Sequence, residues 1–426
     1  MTAHTVPRAS LAIAAISTVV EWYDFTLYLY FVTVLARVFY GPGDASLGFA
    51  LAGFAVAYVM RPLGAVALGA FGDRHGRRRM MMLSMAVMTL AMAATACLPS
   101  RATVGPLAGW LLVALRCAMA FAVGGEYTGV VAYLVEGAPP ERRGFVASFA
   151  SAASEVGGLL AAAVSALVVA ATPRAALDAW GWRVPFAFGA ALAGVIWLAR
   201  ARMAESPEFL DMEAHHALAD NPLARAAGAE RAGVLRGFAI SALGSINYYV
   251  GIIFVPAFLV SNGGMNEAAA LWLSTGAALV VIAVNPIAGA LSDRFGRRPL
   301  MIATALGCAA LPASLFPVMV HGGVVALAGA SVLAALGGAW SAVAASATSE
   351  QFSPQARLTG LALGVTSATA VFGGLSPWLA YGALAWTGAA WAPGAMIAVV
   401  AAFVVPVLWA MPETAPRVVS ARAHEA

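Results

Sequence analysis

Apolar residues run along this chain in twelve long stretches, and polar residues gather in the short gaps between them. The stretches fall at about 11–35, 47–71, 80–98, 106–136, 145–170 and 184–202, then 237–260, 268–291, 299–319, 323–349, 359–386 and 392–411. Each is close to the roughly 20 residues that an α-helix needs to cross the hydrocarbon layer. Barrel strands would instead alternate apolar and polar side chains over about ten positions. The continuous runs therefore predict helices. One gap is long: residues 204–236 carry Glu205, Glu208, Asp211, Glu213, His215, His216 and Asp220. It divides the chain into a six-helix half (1–203), a polar linker (204–236), a second six-helix half (237–411) and a short tail (412–426).

Composition sharpens the class. Of 426 residues 62% are hydrophobic and only 10% charged, with a mean hydropathy of +0.84. Soluble domains carry about 25% charged residues, so a water-soluble, disordered or nucleic-acid-binding chain is excluded. The expected fold is an all-α integral membrane protein. All 24 basic residues are arginine. Without lysine there is no Walker A loop and no Schiff-base amine, so a built-in ATP motor is not expected. Cys97, Cys117 and Cys308 have unrelated spacings, the six histidines lie in loops or tails, and there is no H-E-x-x-H. The sequence therefore predicts no metal, no cofactor and no enzyme.

Arginine placement sets an expected orientation, since cytoplasmic loops of membrane proteins are enriched in positive charge. Eighteen arginines fall in the termini and even-numbered loops, and four (Arg37, Arg101, Arg174, Arg183) in the loops of the other face. Both termini are thus expected in the cytoplasm. Glu21 and Asp24 interrupt the first apolar run and no clear cleavage site follows, so the run reads as a retained first helix rather than a signal peptide.

The two halves share a repeat. Gly69-Ala-Phe-Gly-Asp73-Arg74-His-Gly76-Arg77-Arg78 follows the second run of the first half. Gly289-Ala-Leu-Ser-Asp293-Arg294-Phe-Gly296-Arg297-Arg298 follows the second run of the other. Glycines permit tight turns and close helix approach. Asp73 sits at the C-terminal end of its helix, against that helix's dipole, so it should seek a partner. The candidates are the start of helix eleven near Leu358–Gly360 and a nearby arginine, while Arg77 or Arg78 could reach Glu136 at the end of helix four. The loop then reads as a conformational latch; the rival reading is a purely topogenic basic cluster.

With the doubled loop motif, the six-plus-six layout and the central linker, the chain resembles the major facilitator superfamily over essentially its whole length. Within it, seven stretches resemble the metabolite:proton symporters. They are Glu21-Trp22-Tyr23-Asp24-Phe25, Arg61-Pro62-Leu63-Gly64, Gly124-Gly125-Glu126, Arg142-Arg143-Gly144, Trp180–Phe186, Glu205-Ser206-Pro207 and Phe372-Gly373-Gly374. In one place the pattern departs: Arg116-Cys-Ala-Met119-Ala120 stands where the family often has R-x-x-Q-G. The resemblance implies two pseudo-symmetric halves around a central cavity in a monomer in the cell (inner) membrane. It also implies proton symport of a small polar metabolite, with lipid, protons and substrate as the partners. The stretch Arg61-Pro-Leu-Gly-Ala-Val-Ala-Leu-Gly looks closest to citrate- and tricarboxylate-type members. A zwitterionic osmolyte such as proline or betaine is the alternative, and a drug exporter of the same fold the more distant one.

Ionisable side chains at bilayer depth cost at least about 2.5–3.5 kcal/mol each, so they are functional candidates. On a rise of about 1.5 Å per residue, Asp24, Arg61, Arg116, Glu126 and Glu155 lie within the membrane. Glu21 and Asp24 share a helix face, which Tyr28 extends, and Ser148, Ser151 and Glu155 line another. Asp24, tuned by Arg61 or Arg116, is the expected proton carrier; Glu126 and Glu155 are the other two. The rival reading makes Asp24 and Arg61 a permanent packing pair. The second half offers Asn247, Tyr248, Tyr249 and Trp272, with a break at Asn285-Pro286, as hydrogen-bonding groups and aromatic walls of the cavity. Asn247 and Tyr248 are the expected substrate contacts, ordinary helix packing being the rival reading.

Overall fold

The computed structural model describes residues 6–41, 44–218 and 220–425. The first five residues of the N-terminal half, residues 42–43, Ala219 of the linker and Ala426 of the tail lie outside that description. Among the described residues the chain is helical and contains no β-strand. Nine helices are long and apolar enough to cross a membrane singly, and three bent pairs bring the number to twelve among these residues.

The first six are α1 (Arg8–Tyr30, continued beyond a 59° bend as Val32–Tyr40), α2 (Asp44–His75), α3 (Arg77–Ala96), α4 (Leu107–Gly137), α5 (Arg143–Ala171) and α6 (Arg183–Arg200). The second six are α7 (Arg231–Ile253, then Val255–Gly263 beyond a 43° bend), α8 (Glu267–Phe295), α9 (Arg297–Ala310, then Pro312–Met319 beyond 47°), α10 (Gly323–Ser349), α11 (Arg357–Thr387) and α12 (Ala392–Ala410). Each apolar run of the sequence is one of these helices or bent pairs. The bends in α7 and α9 fall at Pro256 and Pro312, which lack an N–H and crowd the carbonyl four residues back. The break expected at Asn285-Pro286 does not occur: α8 runs straight through Pro286. Asn285 is buried there and accepts a hydrogen bond from Ser341 of α10 at 3.1 Å.

Each half closes over its own apolar core. Tyr23, Leu27, Phe31, Met92, Leu112, Trp182 and Phe186 build the first, and Ile240, Phe258, Met301, Phe316, Trp340 and Leu408 the second. A third cluster joins the halves at one end only, where Leu68, Met80 and Val131 meet Phe352, Leu358 and Leu361. This is the arginine-rich end. The described start and finish of the chain lie there too: the Ala204 N–H donates to Ser10, and Glu413 accepts from Arg297.

α2 and α4 touch backbone to backbone. A Cβ on Gly64 would run into the Phe121 carbonyl, and one on Gly124 into the Arg61 carbonyl. That contact, available only to glycine, fixes the height of Arg61 beside the central cavity.

Candidate functional site

Between the halves, at mid-depth, lies a cavity of about 220 Å³. α1, α2, α4 and α5 supply Glu21, Trp22, Tyr58, Arg61, Tyr127 and Glu155, and the second half supplies Tyr248, Tyr249, Trp340 and a series of serines and threonines. Among its lining residues the charged ones are Glu21, Glu155 and Arg61, a formal charge of one negative when both carboxyls are ionised. Arg61 Nη2 donates to Glu21 Oε1 at 2.8 Å, and the guanidinium lies 5.3 Å from the ring centres of both Phe25 and Tyr58. Among the described residues Glu155 has no ion-pair partner; Tyr248 of the second half faces it across the cavity. Trp22 packs edge-on against Tyr248 at 5.5 Å, and the Tyr58 and Tyr249 hydroxyls meet at 3.2 Å. Hydroxyl and ring contacts therefore join the halves on the side of the cavity away from the arginine-rich end.

Next to it a chamber of about 20 Å³, room for about one water, is lined by Asp24, Arg61 and Arg116. Arg116 pairs with Asp24 at 2.8 Å, and its guanidinium lies 4.8 Å from the ring centre of Tyr28. Tyr28 is buried and donates to the Ala50 carbonyl at 2.9 Å. A permanent Asp24–Arg61 pair is not what forms: Asp24 takes Arg116, and Arg61 takes Glu21. Glu126 is fully buried and pairs with Arg200, with Ser84 as a further donor. Arg200 sharpens the sequence reading, which counted it among the cytoplasmic-side arginines at the end of the sixth run and gave it no partner. It is buried at the end of α6 and also donates to Ser17 and to the Met81 carbonyl. A buried arginine at a helix end looks like a loop arginine in sequence; only its partner on another helix tells them apart.

Three expected contacts lie elsewhere. Asn247 is buried away from the cavity, its Nδ2 donating to Cys308 Sγ at 3.6 Å. Ser148 packs against Gly289 and donates to the Phe145 carbonyl. Trp272 is 76% exposed on the outside of the bundle. All three sit at helical spacing from cavity residues but one face round, which periodicity alone does not resolve.

The doubled loop forms two matching clusters at the arginine-rich end. Asp73 accepts from the Leu358 and Thr359 backbone N–H (3.2 and 2.9 Å) and from the Thr359 hydroxyl (2.8 Å), and it pairs with Arg77 at 3.2 Å. Asp293 accepts from the Gly144 and Phe145 N–H, both at 2.8 Å, and pairs with Arg297 at 2.8 Å. Both candidates for Asp73's partner are thus realised, and each aspartate caps a helix of the opposite half. Arg77 continues to Glu136 (2.9 Å) and to the Pro354 carbonyl (2.6 Å); Arg297 continues to Glu350 (3.2 Å). Gly69 lies against the Leu358 backbone, and Gly76 and Gly296 both take φ of +105°, which glycine adopts freely.

The other arginines of the motif are less engaged. Arg74 donates to the Asp220 carbonyl, Arg78 to the Ala201 carbonyl at 2.5 Å, and Arg294 lies over the Phe295 ring. Arg298 contributes its backbone N–H to Glu413 at 3.0 Å.

Several members of these clusters were given no part in the latch from sequence, although Glu205, Glu208 and Arg143 stand in stretches already noted there. Glu205 accepts from the Arg77 and Arg78 N–H, as Glu413 does from Arg297 and Arg298. Burial pushes the Glu205 carboxyl up from the usual carboxylate range, against the downward pull of the Ser206 and Arg78 N–H groups and the Arg77 charge. A signal existed: Met203-Ala-Glu205-Ser206 and Met411-Pro-Glu413-Thr414 are a second repeat, placed after the sixth and twelfth runs. Arg357 joins Glu136 (2.8 Å) to Glu208 (2.6 Å), and Glu208 also holds Arg143 at 2.7 Å. The linker thereby touches α5 and α11 together.

Known proteins resemble this chain in sequence and fold. Residues 10–234 match the family described as Sugar (and other) transporter, and residues 237–426 match the Major Facilitator Superfamily. The alpha-ketoglutarate permease of Escherichia coli (strain K12) is 32% identical, over 86% of this chain and 85% of that one. The citrate-proton symporter of Klebsiella pneumoniae is 31% identical, over 88% and 85%. The proline/betaine transporter of Salmonella typhimurium is 30% identical, over 88% and 77%. Among solved structures, the proton:xylose symporter XylE bound to 6-bromo-6-deoxy-D-glucose superposes with a TM-score of 0.81 at 20% identity, covering 96% of each chain.

Proposed function

The chain belongs to the major facilitator superfamily as a proton-coupled transporter, and on that premise we propose that it imports a small organic anion together with protons. A di- or tricarboxylate of the 2-oxoglutarate or citrate kind is the substrate class. The carrying observation is the charge of the cavity: two carboxylates and one guanidinium. Ionised, that lining repels an anion. With Glu21 and Glu155 protonated it is positive by one, and Arg61 offers a planar fork for a carboxylate. Protonation thus creates the site that the anion needs, which is the logic of symport. A neutral zwitterion would gain less from the same change. The relatives named for alpha-ketoglutarate and citrate support the anion reading.

The second reading, a zwitterion, is favoured by one feature: Glu155, Tyr248 and Trp22 together form a cation-accepting corner opposite Arg61. Proteoliposome uptake under an imposed inward proton gradient separates the two. Citrate or 2-oxoglutarate should compete with uptake and a proton carrier should abolish it; competition by proline or betaine alone would overturn the anion reading.

Alternating access follows from the two clusters at the arginine-rich end. We place that end in the cytoplasm of a monomer in the inner membrane, with both termini, in line with the arginine count. Capping contacts from each half to the other then hold the cytoplasmic side shut in this conformation. Opening inward requires both aspartates to leave their helix N-termini.

A further inference from the structure

Four acids reach the interior of the first half, and they differ in what their oxygens touch. Both oxygens of Asp24 lie within reach of Arg116 Nη1, and both oxygens of Glu126 are met by Arg200, with Ser84 added. Glu155 lines the cavity and faces Tyr248 of the other half. Glu21 is only 2% exposed, uses Oε1 for Arg61, and leaves Oε2 buried with no partner. A buried, unpaired carboxylate oxygen costs free energy that protonation relieves. Arg61, its one ionic partner, lines both the central cavity and the chamber of Asp24 and Arg116.

We propose that Glu21 and Arg61 are the coupling pair: a proton taken up on Glu21 Oε2 releases the Arg61 guanidinium to the carboxylate of the substrate. The proton is delivered as hydronium through the cavity: its O–H bond to that water breaks as the O–H bond at Glu21 Oε2 forms, leaving neutral water, and the ion pair to Arg61 opens. Neutral Glu21 no longer competes for Arg61, so the anion takes its place. When the anion leaves on the inside, Arg61 returns to Glu21 and expels the proton. The rings of Phe25 and Tyr58 hold the guanidinium during this exchange. The charged and titratable groups facing Glu21 from the helices around it are Arg61 of α2, Glu126 and Tyr127 of α4, Arg200 of α6 and Tyr249 of α7, with Glu155 of α5 on the same cavity. Glu126 and Arg200 already neutralise each other, so Arg61 is the cation whose position decides the state of Glu21. This role for the pair rests on the organic-anion reading.

The test is equilibrium binding of labelled 2-oxoglutarate and citrate to the purified full-length protein across pH, with accumulation and exchange in proteoliposomes. Wild-type affinity should fall by about tenfold per pH unit once Glu21 loses its proton. Glu21→Gln should bind with an affinity constant to within about twofold over the same range. It should exchange labelled substrate yet not accumulate it. If Glu21→Gln does not fold, Glu21→Asp should keep the pH slope and Arg61→Gln should lose binding at every pH. A wild-type slope in Glu21→Gln, a slope abolished by Asp24→Asn alone, or full binding by Arg61→Gln would overturn the pair. If the wild type binds neither acid, the anion reading fails instead. Glu21 is then judged by the same slope with betaine as the probe: loss of the slope in Glu21→Gln retains the proton site, and an unchanged slope removes it.

Discussion

The two halves share a fold and a loop motif, yet inside the membrane they are built from different materials. The first half buries three ion pairs, Asp24–Arg116, Glu21–Arg61 and Glu126–Arg200, from the chamber beside the cavity to the inner end of α6. The second half meets the cavity with hydroxyls, aromatic rings and aliphatic walls. Both halves obtain their cohesion from separate apolar cores, so buried charge is not what holds a half together. Taking two ions out of water costs several kcal/mol per ion and is only partly repaid by their attraction. Carrying three such pairs in one half and not the other points to work done by charge there, with the second half acting as the wall against which it is done.

The strongest way to break this contrast is to orphan a charge. Glu126→Gln leaves Arg200 buried without its anion and should cost about 3–5 kcal/mol, read as a large drop in thermal unfolding temperature. Asn285→Ala in the second half removes only a neutral hydrogen bond and should cost about 1 kcal/mol. Equal losses would mean that the halves do not differ as described. Next come the latches. Asp73→Asn weakens three hydrogen bonds and an ion pair, whereas Asp293→Asn weakens two and an ion pair. Each should favour the inward-open state by about 1–3 kcal/mol, Asp73→Asn more, as read by labelling of single cysteines placed on either side of the cavity. No change in labelling would sink the latch.

Smaller effects sharpen the cavity. Glu155→Gln removes a negative charge from the lining and should raise anion affinity at alkaline pH by up to about tenfold, equivalent to roughly 1.4 kcal/mol; a zwitterion should bind more weakly in the same variant. Tyr248→Phe should cost about 1 kcal/mol of substrate binding, with no loss of fold by thermal unfolding. Asn247→Leu should leave the Kd within about twofold, an energy below about 0.5 kcal/mol, because that side chain faces Cys308 rather than the cavity.

What could be read in the sequence follows from the same contrast. Helix number and order were legible because a bilayer forces long apolar runs, and the capping contacts between the halves because their motif occurs twice. Arg77 with Glu136 and Asp73 with Leu358–Thr359 form as the spacing suggested. Partner choice among buried charges was less legible. Arg61 took Glu21 rather than Asp24, and Arg200 was hidden among the flanking arginines, since each pairing depends on helix rotation and height. Those are set by contacts such as Gly64 on Phe121, which no single run reveals. Asn247 and Trp272 failed for the mirror-image reason: in an all-apolar helix a polar or aromatic residue carries little information about which way it points.

Glu205 and Glu413 bind the turns after α2 and α8, but each lies at the far end of its own half. A ribosome makes the turn first and its clasp some 130 residues later. The first half can therefore complete itself only when all six of its helices have been delivered to the membrane, and it can do so before most of the second half has been synthesised. The clasp is in that sense a signature placed at the end of each half, legible to the assembling chain only when nothing before it is missing.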